Sequence, residues 1–359
     1  MDKSLELSLE NLATGNFETR WQAAKIISTW GEAAIAPVLE LLEAEEQDIE
    51  LSWFIARILG ELDSPLALKT LINLLVSTEN DDVKIMAATA LANFKEKAIA
   101  PFCELLKQDR WRLLAVRSLA SINHPEAIEP LLTALTDPQP VVRATTLAAL
   151  SNFTDDKICY FMVKALEDPS PEVRKQAIIG LSRFKKLPNL IELLQKRLKD
   201  EDLRVSRQAA IALSSCKTET AIEILLQTFL SSTTPVELQM EIARSLSWVE
   251  TKEALVSLQT AIITIQNNQS TNLLLAKEII LVLGRIETTD LKPIAASILS
   301  NLLTSKNPVF QHSEIKQAIA LGLGQLGVVK ERESLKQLLK DEDAKVRLHA
   351  NAALKKISQ

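Results

Sequence analysis

The segment DPQPVVRATTLAAL at residues 137–150 is followed thirty-one residues later by DPSPEVRKQAIIGL at residues 168–181. In each phrase the prolines end one helix and suit the first turn of the next, so the phrase reads as helix end, turn and new helix. With Arg143 and Arg174 as anchors, the pattern asks for an apolar residue just before the anchor, small or apolar residues at +3 and +6, and leucine at +7. Extended along the chain, it lands on Arg20, Ser52, Lys84, Arg112, Arg143, Arg174, Ser206, Gln239, Ala276, Lys316 and Arg347, with steps of 32, 32, 28, 31, 31, 32, 33, 37, 40 and 31. Near-equal periods of this length are the signature of a repeat array.

Between anchors run second amphipathic segments, such as EAIEPLLTALTD (126–137), AIEILLQTFL (221–230) and ESLKQLLKDED (333–343). Their apolar spacing is helical. A repeat is therefore an outer helix, a turn and an inner helix that begins near the anchor. The aspartates six residues before the anchor, Asp137, Asp168, Asp200 and Asp341, are placed to cap the turn or to pair with the anchor cation. One helix pair cannot bury its apolar stripe alone, whereas stacked pairs make a continuous core. The expected fold is all-α: a single right-handed α-solenoid of about eleven helix pairs over residues 1–359. At about 8–10 Å per packed helix, such a rod would be on the order of 100 Å long.

Segment 122–150, INHPEAIEPLLTALTDPQPVVRATTLAAL, resembles a HEAT repeat of the short kind found in phycobilisome-lyase proteins. In length and repeat number the chain also resembles the cyanobacterial HEAT-repeat proteins that partner A-type iron–sulfur scaffolds. These resemblances imply a protein-binding scaffold or adaptor in iron–sulfur cluster or phycobilisome assembly. The alternative they imply is a bilin lyase subunit that handles a tetrapyrrole. The partner would be an iron–sulfur scaffold, a phycobiliprotein or another lyase subunit.

Composition bounds the rest. The chain has 359 residues, eight glycines, one tyrosine and a formal net charge of −5, a helical composition rather than one of short strands and frequent turns. MDKSLELSLENL has no basic leader and hydrophobic core, and no run of eighteen apolar residues occurs, so a soluble, cytoplasmic protein is expected, without a membrane partner. Cys103, Cys159 and Cys216 are too far apart to read as a metal motif. Cys216, in SSCKTET beside Lys217, is the one cysteine whose position also suits an exposed thiolate, although a structural role is the favoured expectation for it as for the other two. GLGQLG at 322–327 matches the dinucleotide fingerprint letter for letter, but it lies in the body of a helical segment instead of following a strand. Helix packing and helix termination explain its glycines. His124, His312 and His349 lie in separate repeats, with surface or capping roles expected. The stretch ITIQNNQSTN (263–272) reads as an inserted loop that could mark a bend. No catalytic, cofactor-binding or metal-binding residue emerges, and the chain is expected not to be an enzyme.

Charge is uneven: residues 1–50 hold eleven acids and three bases, residues 171–220 eleven bases and six acids. The negative total argues against nucleic acid as the partner. The basic middle, with Lys175, Arg183, Lys185, Lys186 and Arg207, reads as solvated surface. If +3, +4 and +7 of each inner helix face the core, +1 and +5 lie on the concave side. The +1 positions of the first four repeats are Trp21, Trp53, Ile85 and Leu113, and cations stand at +5 in Lys25, Arg57 and Arg117. An apolar ridge flanked by cations suits a protein interface, where tryptophan and arginine are preferred anchors. These seven residues are the candidate partner-binding site. The competing expectation is that the rings pack between repeats.

Overall fold

The computed structural model describes residues 2–44, 48–267 and 272–357. Outer and inner helices alternate along them: α1 (Lys3–Thr14), α2 (Phe17–Ser28), α3 (Ile35–Ala44), α4 (Ile49–Glu61), α5 (Pro65–Ser77), α6 (Asp81–Ala92), α7 (Ile99–Leu106), α8 (Arg112–Ile122), α9 (Ile128–Ala134), α10 (Pro140–Leu150), α11 (Asp156–Ala165), α12 (Pro171–Leu181), α13 (Leu190–Arg197), α14 (Leu203–Cys216), α15 (Glu219–Leu230), α16 (Val236–Val249), α17 (Lys252–Asn267), α18 (Leu273–Gly284), α19 (Lys292–Leu302), the short α20 (Pro308–Gln311), α21 (Ser313–Leu326), α22 (Arg332–Leu338) and α23 (Ala344–Ile357). All eleven anchors fall on inner helices. The fold is an all-α solenoid, and no strand occurs among the described residues.

The chain forms two compact units, Met1–Ala165 and Leu166–Gln359. In the first, α2, α4, α6, α8 and α10 pack each on the next; in the second, α12, α14, α16, α18, α21 and α23 do the same. The core is the set the template requires: Ala23, Ala24 and Ile27 in one repeat and Ala177, Ile178 and Leu181 in another are all buried. Starts are set by polar caps. Asn16 Oδ1 accepts from the Thr19 N–H at 3.0 Å, and Asp48 Oδ1 from the Leu51 N–H at 2.8 Å, each satisfying a donor the helix leaves unpaired.

The recurring turn has a double function. Asp200 Oδ1 accepts from the Asp202 N–H at 3.0 Å, which closes its own turn. The same carboxylate takes Arg174 Nη2 at 2.7 Å and Nε at 2.9 Å from the preceding repeat, while Arg174 Nη1 donates to its own turn at the Asp168 carbonyl, 2.9 Å away. Asp137 with Arg112 (3.0 Å) and Asp341 with Lys316 (2.8 Å) follow the same rule. The aspartate thus pairs with the anchor one repeat back, not with its own, because the next turn stacks directly over that cation. Arg20 and Asp48 make the corresponding pair at 2.7 Å.

Two further expectations are settled here. Residues 263–267 are helical, the end of α17, because TIQN continues the helical apolar spacing of its segment; residues 268–271 of the expected loop lie outside the described residues. The GLGQLG glycines serve packing and termination. A Cβ on Gly324 would stand 2.8 Å from Ala353 Cβ, and one on Gly322 would stand 2.8 Å from Leu299 Cδ1. Gly327 ends α21 with φ of 69°, a conformation that costs glycine little.

Candidate functional site

The candidate residues fall on α2, α4, α6 and α8, and five of the seven, Trp21, Lys25, Trp53, Arg57 and Ile85, are brought together. Trp21 and Trp53, on successive inner helices, stack with ring centroids 6.4 Å apart and planes 25° from parallel. Phe17 lies 6.1 Å from Trp21 and 6.5 Å from Trp53, and buried Phe54 sits edge-on beneath both indoles. The Arg57 guanidinium lies 3.9 Å from the Trp21 ring centroid and the Lys25 ammonium 5.7 Å, geometry suited to cation–π attraction. Arg57 also pairs with Glu61 at 3.6 Å. Both indoles are half-buried and pack on one another across the two repeats.

Beside the stacked indoles a hollow of about 400 Å³ opens, lined by Phe17, Ile49, Glu50, Trp53, Asp82 and Ile85. Its apolar walls are open to water: Phe17 is 53% exposed, Ile49 54% and Ile85 65%. Leu113, half-buried, and Arg117, exposed, lie one helix further on and outside this lining. Phe17 and Ile49 were missed as candidates. They stand three residues before the anchors Arg20 and Ser52, so extending the +1, +5 row back by one turn finds both.

The equivalent face of the second unit is built differently. Ion pairs link its successive inner helices: Glu172 to Arg204 (3.8 Å), Arg207 to Glu241 (2.9 Å), Arg244 to Glu278 (2.6 Å) and Lys277 to Glu314 (2.8 Å). Glu241 is buried and also meets Arg244 at 3.3 Å. The +1 cations of the basic middle are therefore tied down: Lys175 reaches Glu172 at 3.5 Å, and Arg207 belongs to the ladder.

Other polar candidates take structural positions. His124 and His312 cap helices through Nδ1, each accepting an N–H at 3.4 Å. Cys216 is half-buried and donates to the Ala212 carbonyl at 3.5 Å. Burial pushes its thiol up, and the cation that opposes this is Lys185, not the adjacent Lys217, whose left-handed backbone caps α14. Burial likewise raises Cys103 and Cys159. Among the described residues no cluster of three or more His, Cys, Asp or Glu could hold a metal ion, and no helix is long and apolar enough to cross a membrane.

The family model for HEAT repeats matches residues 5–92, 39–113, 109–166 and 160–239. The chain belongs to the HEAT-repeat family. No curated protein matches it. Among solved structures, this HEAT-repeat chain is similar to Kap121p bound to Ste12p, with 16% identity and a TM-score of 0.61, covering 100% of this chain and 45% of that one. It is similar also to importin beta, with 11% identity and a TM-score of 0.56, covering 98% and 57%. The chain thus spans about half the length of those two proteins, which share its fold. A looser match, with a TM-score of 0.32 and 21% identity, is the complex of CpcE and CpcF of phycocyanin lyase from Nostoc sp. PCC7120, covering 63% of this chain and 94% of that one.

Proposed function

We propose that this HEAT-repeat chain is a non-catalytic scaffold that holds a protein partner on the inner-helix face of its N-terminal repeats. The observation that carries this reading is the hollow between α2, α4 and α6, where Phe17, Ile49 and Ile85 leave more than half of their surface in water beside the Trp21–Trp53 stack. Apolar side chains grouped in this way mark interaction sites, and aromatic and arginine residues supply most of the anchors in protein interfaces. Kap121p, with the same fold, is bound to Ste12p. Cytoplasmic iron–sulfur cluster or phycobilisome assembly is the setting we propose, the first on the resemblance in length and repeat number to HEAT-repeat partners of A-type scaffolds, the second on the resemblance of the 122–150 repeat to phycobilisome-lyase HEAT repeats.

Affinity capture from the native source followed by mass spectrometry, with wild type beside Phe17→Ala/Ile85→Ala, tests the scaffold. A partner enriched by wild type and lost from the variant supports it; a partner retained by both removes the site. Mixing the purified chain with free bilin tests the catalytic alternative, since a shifted and intensified visible spectrum would count against a purely non-catalytic scaffold.

A further inference from the structure

Two turns of the second unit are spelt almost alike. KDEDLRVS (199–206) and KDEDAKVR (340–347) share Lys, Asp, Glu, Asp and Val, and end on different anchors, serine in the first and arginine in the second. They are also built alike. Asp200 Oδ1 accepts from the Asp202 N–H and Asp341 Oδ1 from the Asp343 N–H, both at 3.0 Å. Asp202 Oδ1 then accepts from the Arg204 N–H at 2.8 Å, as Asp343 Oδ1 does from the Lys345 N–H at 2.7 Å. Each first aspartate is taken by the anchor of the preceding repeat, Arg174 or Lys316.

The turn that ends on arginine shows what its carbonyls hold. Arg347 Nη1 donates to the Asp341 and Glu342 carbonyls, both at 2.8 Å, and makes no ion pair among the described residues. Arg174 Nη1 sits in the same way on the Asp168 and Pro169 carbonyls at 2.9 and 3.1 Å, and Arg143 Nη1 on Asp137 and Pro138 at 2.8 and 3.2 Å. In the turn that ends on serine, the Ser206 hydroxyl donates instead to the Leu203 carbonyl at 3.1 Å. No hydrogen bond among the described residues reaches the Asp200 or Glu201 carbonyl. The missing side chain also leaves space: a hollow of about 600 Å³ opens there, with Asp200, Glu201 and Ser206 on one wall and Thr233, Thr234 and Pro235 of the next turn on the other. Thr233 stands six residues before the anchor Gln239, where an aspartate would complete the rung. Charge does not decide what enters, because Asp200 is held by Arg174, and exposed Lys199 and Glu201 are of opposite sign, as Lys340 and Glu342 are beside Arg347.

We propose that this hollow is a receptor for the guanidinium of an arginine presented by another polypeptide, with its Nη donors on the Asp200 and Glu201 carbonyls and its aliphatic stem along Leu203 and Ile224. A guanidinium carries a rigid fork of donors and no acceptor, which is what a pair of free carbonyls requires. The space exceeds what one side chain fills and leaves room for the residues on either side of the arginine. The site lies within the second unit and does not rest on the groove of the first.

The test titrates the deuterated, ¹⁵N-labelled full chain with acetyl-Gly-Arg-Gly-amide, its citrulline counterpart, which has the same shape without the charge, and free L-arginine. Amide shifts of Glu201–Leu203 and of Thr233 and Thr234 are followed. The arginine peptide is expected to shift them saturably with a millimolar Kd, about tenfold tighter than the citrulline peptide, because charge-assisted hydrogen bonds are about twice as strong as neutral ones. Ser206→Arg supplies the guanidinium from within and should abolish the shifts; Ser206→Gln, which blocks the same carbonyls with a neutral amide, serves if Ser206→Arg does not fold. No saturable shift with the arginine peptide overturns the receptor. Equal binding of the citrulline peptide overturns recognition of the guanidinium, and equal binding of L-arginine overturns the polypeptide as its source. Shifts that persist in the folded Ser206 variant overturn the placement.

Discussion

The inner-helix faces of the two units follow one template and reach opposite ends. In Leu166–Gln359 the exposed positions are spent on each other: from α12 to α21 every step between inner helices carries an ion pair, and Glu241 serves two arginines at once. In Met1–Ala165 one such pair, Arg20 with Glu50 at 3.0 Å, crosses from α2 to α4, and the neighbouring positions carry rings and aliphatic chains, with Phe17, Ile49 and Ile85 open to water. Charges satisfied within the face leave little for a ligand to gain, because displacing them costs desolvation without a new partner. Open apolar surface is the reverse case. In the proposed reading one face holds the stack and the other holds a partner.

The largest effect expected separates this difference from what the units share. Asp200→Ala removes the two-pronged partner of the buried Arg174 guanidinium, which keeps only exposed Glu201 and two backbone carbonyls, and a loss of about 3–5 kcal/mol in urea unfolding is expected. Asp137→Ala should cost less, because Arg112 is more exposed than Arg174, 22% against 7%, and keeps Asp109. Equal losses would mean that the turn-capping hydrogen bond, common to both, outweighs the ion pair.

Within the second unit, Gly324→Ala forces a methyl against the Cα and Cβ of Ala353 at 2.9 and 2.8 Å. Overpacking of this kind costs about 1–3 kcal/mol, read as a lowered Tm with no effect on partner binding. Glu241→Gln leaves Arg207 and Arg244 facing each other across a lost charge, and a similar loss of about 1–3 kcal/mol is expected, again without loss of partner. Partner release by Glu241→Gln would break the assignment of the ladder to stability.

In the first unit the pattern should invert. Ile85→Ala removes a side chain that is mostly in water already, so Tm should hardly move, while partner affinity falls by about 2 kcal/mol or more, the mark of an interface hot spot; Phe17→Ala should weaken the partner as much but also lower Tm, since its ring packs on Trp21, Trp53 and Phe54. Trp21 and Trp53 are less clean probes, since each also packs on the next repeat and their removal would lower both quantities.

The smallest effect is in acid. The Arg20 guanidinium, by a charge-assisted hydrogen bond, holds the Asp48 carboxyl below the usual carboxylate range against the opposing pull of burial. Its folded value lies below its unfolded one, so the pair contributes fully above the unfolded value near about pH 4 and the contribution fades as pH falls through the lower folded value. Asp48→Asn should flatten the acid side of the stability curve, measured by urea midpoints at successive pH values; an unchanged slope would place the acid sensitivity in other carboxylates.

The fold was legible because stacking demands it repeat after repeat: the anchor spacing located all eleven inner helices, and +3, +4 and +7 located the core. Two features lay beyond that register. The aspartate's partner is one repeat away, and nothing in a linear pattern distinguishes its own anchor from the preceding one until the turns are stacked. The groove was half legible. Tryptophan at +1 identified the row, but Phe17 and Ile49 lie before the anchor, where the turn ends, and burial there depends on how the neighbouring helix starts. The ion-pair ladder was hidden for a similar reason, because Glu241 and Glu278 occupy +2, a position the template leaves undefined.

Hydrogen exchange of the full chain, alone and saturated with its captured partner, tests the central assignment most directly. The account predicts slowed exchange in Phe17–Ser28, Ile49–Glu61 and Asp81–Ala92, with Leu203–Cys216, Val236–Val249 and Leu273–Gly284 unchanged. Protection confined to these last three helices, all members of the ladder, would contradict it.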